Sequence, residues 1–178
     1  MFEIERKYLL RENGQEFATP TFFELYSTID ALVADVKSQA LLLRQGYLLH
    51  QEGMLLAEQL FSLQAFMISE PEFRLRIYDG RYFFTVKDNE LGSRFEKETL
   101  IPENIFSLHW PKTEGHRIHK QRIKRAYRGR TIEFDVYADR DLVVAEVEFG
   151  DPTEADRFSP LGKNVTYDAA YKNRNLAR

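Results

Sequence analysis

Polar and apolar residues alternate with a period of two along most of this chain. Glu72, Arg74, Arg76 and Tyr78 share one side of a predicted strand, and Phe73, Leu75 and Ile77 share the other. Asp79-Gly80 is a hairpin signal, and the returning strand sets Arg81, Phe83, Thr85 and Lys87 against Tyr82, Phe84 and Val86. A polar loop from Asp88 to Gly92 leads to a third strand with Arg94, Glu96 and Glu98 on one face. Between His116 and Arg130 the pattern sets Lys120, Arg122 and Lys124 against Gln121, Ile123 and Arg125, with a turn at Arg128-Gly129. Glu133 and Asp135 then oppose Ile132, Phe134 and Val136, and Glu146 and Glu148 oppose Val143, Ala145, Val147 and Phe149. The first eight residues read the same way, with Glu3, Glu5 and Lys7 on one face and Phe2, Ile4 and Arg6 on the other.

Elsewhere the period lengthens. Leu55, Leu56, Leu60, Leu63, Phe66 and Met67 recur at helical spacing, which predicts an amphipathic helix from Glu52 to Ile68, ended by Ser69-Glu70-Pro71. Shorter helices are predicted at Ala31 to Val36, at Pro102 to Phe106, from Asp151 to Glu154 and from Asp168 to Leu176. Leu41 to Leu49 is apolar enough for a strand with a bend at Gly46, and Phe17 to Tyr26 is irregular, broken by Pro20. Many short strands joined by turns predict an α+β protein dominated by antiparallel β-structure. With 178 residues and no linker or composition break, a single domain over residues 1–178 is expected.

Composition narrows the function. A hydrophobic content of 43% fits a folded chain, and a net charge of -3 gives no reason to expect nucleic acid or a membrane surface as partner. The basic run from Lys120 to Arg130 lacks the interleaved aromatics of a base-stacking platform. The chain has no cysteine, which excludes disulfides, thiolate metal sites and cysteine nucleophiles. Glu3 and Glu5 stand where a signal peptide would be basic, and no apolar run is long enough to span a bilayer, so a cytoplasmic location is expected.

The repeated charged faces carry the chemistry. If helices cover the apolar faces of the strands, the charged faces point inward, and a closed barrel would enclose a wet, charged lumen. Carboxylates at i and i+2 are hard oxygen donors suited to Mg²⁺ or Mn²⁺, while Arg and Lys suit phosphate oxygens. The alternative from alternation alone is a sandwich whose charged faces are simply solvated.

The sequence resembles the CYTH superfamily, the triphosphate tunnel metalloenzymes. Its E-x-E-x-K opening stands here as Glu3-Ile4-Glu5-Arg6-Lys7. There follow in order Gln45-Gly46-Tyr47-Leu48, Glu72-Phe73-Arg74-Leu75-Arg76, Thr85-Val86-Lys87, Arg94-Phe95-Glu96-Lys97-Glu98, Lys120-Gln121-Arg122, Glu133-Phe134-Asp135-Val136, Glu146-Val147-Glu148 and Tyr171-Lys172-Asn173. The resemblance implies a closed eight-stranded antiparallel barrel with flanking helices, binding a triphosphate and a divalent metal, Mg²⁺ or Mn²⁺. It implies Glu3, Glu5, Glu146 and Glu148 as the main metal ligands, with Glu96, Glu98 and Asp135 assisting. Lys7, Arg74, Arg76, Lys87, Arg94, Lys120 and Arg122 would grip phosphates, and Glu5, Lys87 and Glu148 would be catalytic. The implied activity is hydrolysis of a triphosphate, with tripolyphosphate first and nucleoside or thiamine triphosphate next. A class IV-type adenylate cyclase and a non-catalytic polyphosphate-binding barrel are the alternatives, and the resemblance allows a homodimer. Two departures stand out: Asn164 replaces the acid of the usual G-x-E-V-T, and residues 50–69 read as a helical insertion.

Overall fold

The computed structural model describes residues 4–62, 70–88 and 95–178. Its strands are β1 (Ile4–Glu12), β2 (Gln15–Glu16), β3 (Leu41–Leu48), β4 (Pro71–Tyr78), β5 (Arg81–Asp88), β6 (Glu96–Leu100), β7 (Arg117–Tyr127), β8 (Arg130–Tyr137), β9 (Leu142–Phe149) and β10 (Lys163–Asn164). Its α-helices are α1 (Pro20–Phe23), α2 (Ile29–Gln39), α3 (His50–Phe61), α4 (Glu103–His109), α5 (Pro152–Arg157) and α6 (Asn173–Leu176). The chain groups into two compact units, Met1–Leu42 with His119–Lys172 and Leu43–Ile118 with Asn173–Arg178.

In the first unit β10, β1, β9, β8 and β7 are neighbours in that order, each pair antiparallel. Their apolar face carries Ile132, Phe134, Val136, Val143, Ala145, Val147 and Phe149, and α2 lies on it through Ile29, Leu32, Val33 and Val36. Full burial of each Val, Ile, Leu or Phe side chain here is worth about 1.5–3 kcal/mol, which holds this face against the helix. The helix is longer than the predicted Ala31 to Val36 because Thr28 caps it, its hydroxyl accepting from the Ala31 N–H at 3.0 Å.

In the second unit β3, β4, β5 and β6 are consecutive antiparallel neighbours. Phe73, Leu75, Phe84 and Val86 form the apolar face, covered by Leu56 and Ala57 of α3 and by Phe106 of α4. Gly53 lets α3 sit flush, since a Cβ there would lie 2.1 Å from the Phe73 ring. Gly46 serves close approach rather than a bend: a Cβ would come within 2.4 Å of the Thr113 hydroxyl. Trp110 packs as a ring, stacked on Phe106 at 5.0 Å.

Some expectations change. The predicted Glu52 to Ile68 helix ends at Phe61, where Ser62 turns left-handed with φ 56°, and residues 63–69 lie outside the described set. Pro20 does not break its segment; it begins α1, as its fixed φ allows. The single C-terminal helix is instead a 3₁₀ turn (Ala169–Tyr171) and α6, separated by an extended Lys172. Ten strands are described, and no pairing among the described residues closes them by hydrogen bonds into the eight-stranded ring: β6 bonds only β5, and β10 only β1. No helix among the described residues is long and apolar enough to cross a membrane.

Candidate active site

The charged face of the first unit is a grid fixed by strand register. Across β1 and β9 the facing pairs are Glu5–Glu148, Lys7–Glu146 and Leu9–Val144. Across β9 and β8 they are Glu146–Glu133 and Val144–Asp135, and across β8 and β7 they are Asp135–Arg122 and Glu133–Lys124. Side-chain alternation puts all of these on the face opposite α2. The grid has a gradient. Glu5 and Glu148 are exposed at one end, Lys7 and Glu146 are buried, and Leu9 and Val144 make an apolar floor at 0% exposure.

Arg122 is the hub of this face. Its Nε and Nη2 donate to the two oxygens of Asp135 at 2.6 and 2.7 Å, its Nη2 also reaches Glu146 at 2.9 Å, and its Nη1 pairs with Glu133. Lys7 Nζ holds the other Glu146 oxygen at 2.9 Å, and Lys120 Nζ lies 2.5 Å from Asp135. Burial opposes ionisation of Glu146, but Lys7, Lys120 and Arg122 outweigh it and hold the carboxyl far below its ordinary range. Burial likewise works against Asp135, and Arg122 and Lys120 win, so its pKa is lowered. Both groups are therefore anions at neutral pH. An apolar face of the same shape would fold as well or better, so a buried ionic grid is a cost to stability that points to chemistry.

The second unit carries a charged face of its own, richer in cations. Arg76 Nη2 donates to both oxygens of Glu98 at 2.8 and 3.0 Å. Thr85, a residue outside the expected site, links the group: its hydroxyl donates to Glu98 at 2.6 Å and accepts from Arg74 Nη2 at 3.2 Å. Lys87 pairs with Glu96 at 3.1 Å. The Arg74 Nε is buried without an acceptor among the described residues. Such an unspent donor is what a phosphate oxygen would satisfy. Glu3 and Arg94 lie outside the described residues.

Three further residues take roles that the sequence reading did not assign. Glu133 bridges Arg122 and Lys124, and only its place in the acidic strand hinted at this. Asn164 does not reach toward the grid as a substitute acid. Its Oδ1 accepts from the N–H and hydroxyl of Thr166 at 3.0 and 2.6 Å, and the Thr166 Oγ1 accepts from the Lys7 N–H at 3.0 Å. The clip pins β1 beside the residue that holds Glu146. Tyr171 anchors the C-terminal stretch of this unit by donating to Glu12 at 2.6 Å, which helps push its pKa up to about 12.

The donor chemistry suits a hard divalent ion. Glu5 faces Glu148 directly across the β1–β9 ladder, whereas the facing Glu133 and Glu146 already share the Arg122 guanidinium. Like charges so placed repel, by about 0.2–1 kcal/mol in exposed pairs, and a cation between them reverses the sign. Among the described residues no three carboxylates or imidazoles converge on one point.

Strands with one apolar face under a helix and one ionic face define an antiparallel β-protein built to handle a polyanion. Comparison with known proteins agrees. The chain is 33% identical over 183 residues to the inorganic triphosphatase of Nitrosomonas europaea, an alignment covering 99% of this chain and 97% of that protein. A crystal structure of the inorganic triphosphatase NE1496 matches with TM-score 0.59 at 30% identity, covering 99% of this chain and 95% of that one. A crystal structure of the hypothetical protein NE1496 matches with TM-score 0.58 at 32% identity, covering 99% and 97%. No family model matches the chain. The chain belongs to the CYTH superfamily, the triphosphate tunnel metalloenzymes.

Proposed function

We propose that this protein hydrolyses inorganic tripolyphosphate to pyrophosphate and phosphate, using the ionic grid of the first unit with Mg²⁺ or Mn²⁺. The observation that carries the reading is the buried Lys7–Glu146–Arg122–Asp135 network, whose expense makes sense as preorganised electrostatics for a polyanion. The name of the 33% identical relative supports tripolyphosphate as substrate.

In the proposed reaction a water attacks the terminal phosphorus, the bond from that phosphorus to the bridging oxygen breaks, and pyrophosphate leaves with the electron pair. Lys7, Lys120 and Arg122 offset the charge on the phosphate oxygens, and Glu133, Asp135 and Glu146 keep those cations aimed. Glu5 and Glu148, at the exposed end, take up the water's proton. When bound, the divalent ion would be held by the facing carboxylates of Glu5 and Glu148 and would neutralise phosphate charge and order the water. On the second unit's own face, Arg74, Arg76 and Lys87 are proposed to bind phosphate, supported by the unspent Arg74 Nε donor. The mixture is read directly by phosphorus NMR of tripolyphosphate incubated with protein and Mg²⁺. Stoichiometric pyrophosphate and phosphate support the reading, and an unchanged spectrum with either metal removes it.

A further inference from the structure

The apolar side of the first unit's sheet ends in a hollow that the reaction above does not use. It has a volume of about 280 Å³ and lies around the turn between β7 and β8, beside α5. Three rings line it: Phe158 meets Phe149 edge-on at 5.3 Å and Tyr127 edge-on at 6.2 Å. Three guanidiniums line it too. Arg128 sits over the Tyr127 ring at 5.1 Å and Arg130 over Phe149 at 5.6 Å. Glu24 and Glu154 steady Arg128 and Arg130 respectively, whereas Arg157 has no partner among the described residues.

The backbone gives a second reason to look here. Among the described residues three hairpins turn through a left-handed residue followed by glycine: Asn13-Gly14, Asp79-Gly80 and Arg128-Gly129, with φ of 49°, 52° and 45° at the first residue. Asn and Asp tolerate that conformation, whereas a long side chain does so at a cost. Arginine at this tip spends stability on a position that turn chemistry would give to Asn, which is the kind of outlier that marks a functional site. By strand alternation the hollow lies on the opposite face from Glu146 and Glu148, since Arg130 and Phe149 share the side of Ile132 and Val147.

We propose that this hollow binds a small planar aromatic phosphate, of the nucleoside monophosphate class, separately from the tripolyphosphate site. The part-exposed Tyr127 and Phe158 rings offer a base an aromatic wall, with Phe149 buried beneath Arg130, and guanidiniums take the phosphate through paired N–H donors. The volume sits just below the range of about 300–1,000 Å³ typical of ligand pockets, which favours one phosphate over three. Arg157 supplies the unspent charge, and Arg128 and Arg130 keep their guanidinium carbons over the Tyr127 and Phe149 rings.

The test is calorimetric titration of the full chain with AMP, adenosine and inorganic phosphate, each with and without saturating tripolyphosphate. The titrations are run without divalent metal, so that tripolyphosphate is not turned over, and AMP itself has no phosphoanhydride bond. Saturable AMP binding is expected, with adenosine and phosphate each weaker by about tenfold or more, and with no competition from tripolyphosphate. Arg157→Ala should weaken AMP by on the order of tenfold. Arg128→Asn, which relaxes the turn and so should fold at least as well, should also weaken it. Both variants should release phosphate from tripolyphosphate at the unaltered protein's rate. Absence of AMP binding at millimolar concentration overturns the proposal. So does displacement of AMP by tripolyphosphate, or equal AMP affinity in the unaltered protein and both variants.

Discussion

Lys7 and Glu146 face one another across the β1–β9 ladder with 2.9 Å between ammonium and carboxylate, and both side chains are more than 90% buried. Removing one partner leaves a buried charge without its counterion. Glu146→Leu alone should therefore cost about 3–5 kcal/mol of stability, measured by urea unfolding. The double variant Lys7→Met with Glu146→Leu should recover much of that loss and remain inactive. Recovery of activity with stability would mean that the pair serves the fold and not the reaction.

Glu5 is exposed at the end of the same ladder, opposite Glu148. Glu5→Gln should leave stability within about 0.5 kcal/mol, as an exposed substitution does. It should abolish turnover while tripolyphosphate still binds. Parallel thermal melts, binding titrations and phosphate-release rates separate these effects.

Arg76 grips both oxygens of Glu98 through one nitrogen. Arg76→Ala should weaken tripolyphosphate binding by about tenfold, and Arg76→Lys should not restore it, because a point charge does not reproduce a fork of donors. A dissociation constant for each variant decides this. Full rescue by lysine would reduce the role of Arg76 to net charge.

Acid should weaken the fold through Glu146 and Asp135. Their folded-state pKa values lie below the unfolded values of 4.5 and 3.8, so the unfolded chain takes up protons first. Their contribution is complete above about pH 5 and drains away as pH falls through and below 4. Urea midpoints against pH should fall steeply in that window, and less steeply in a Glu146→Gln variant.

The charged and apolar faces were legible in the sequence because a period of two leaves little freedom once one face is buried. The turns Asp79-Gly80 and Arg128-Gly129 fell where their glycines place them, although Arg128 itself is not the residue that such a turn prefers. Which charges would meet was not legible. Lys7 with Glu146, and Arg122 with both Asp135 and Glu133, depend on register between strands far apart in the chain. Helix α2 could have been extended from the capping signal at Thr28. Lys172 adopts an extended backbone that helical spacing alone does not forbid. Asn164 was misleading because a carboxylate and an amide offer the same oxygen to a tight turn, and only the Thr166 contact reveals which use applies.

That contact gives its own expectation. Asn164→Ala removes the acceptor for two Thr166 donors and should cost about 1 kcal/mol in a thermal melt, whereas Asn164→Asp keeps the oxygen and should melt near the unaltered protein. If Asn164→Asp instead raised turnover sharply by changing metal dependence, the residue would belong to the ionic grid after all.

The most direct measurement is the initial rate of phosphate release from tripolyphosphate as Mg²⁺ is titrated, with the unaltered protein and Glu5→Gln side by side. A saturable, Mg²⁺-dependent rate in the first and none in the second is the result predicted from the grid. Equal metal-dependent rates in both would contradict the assignment of the reaction to this face.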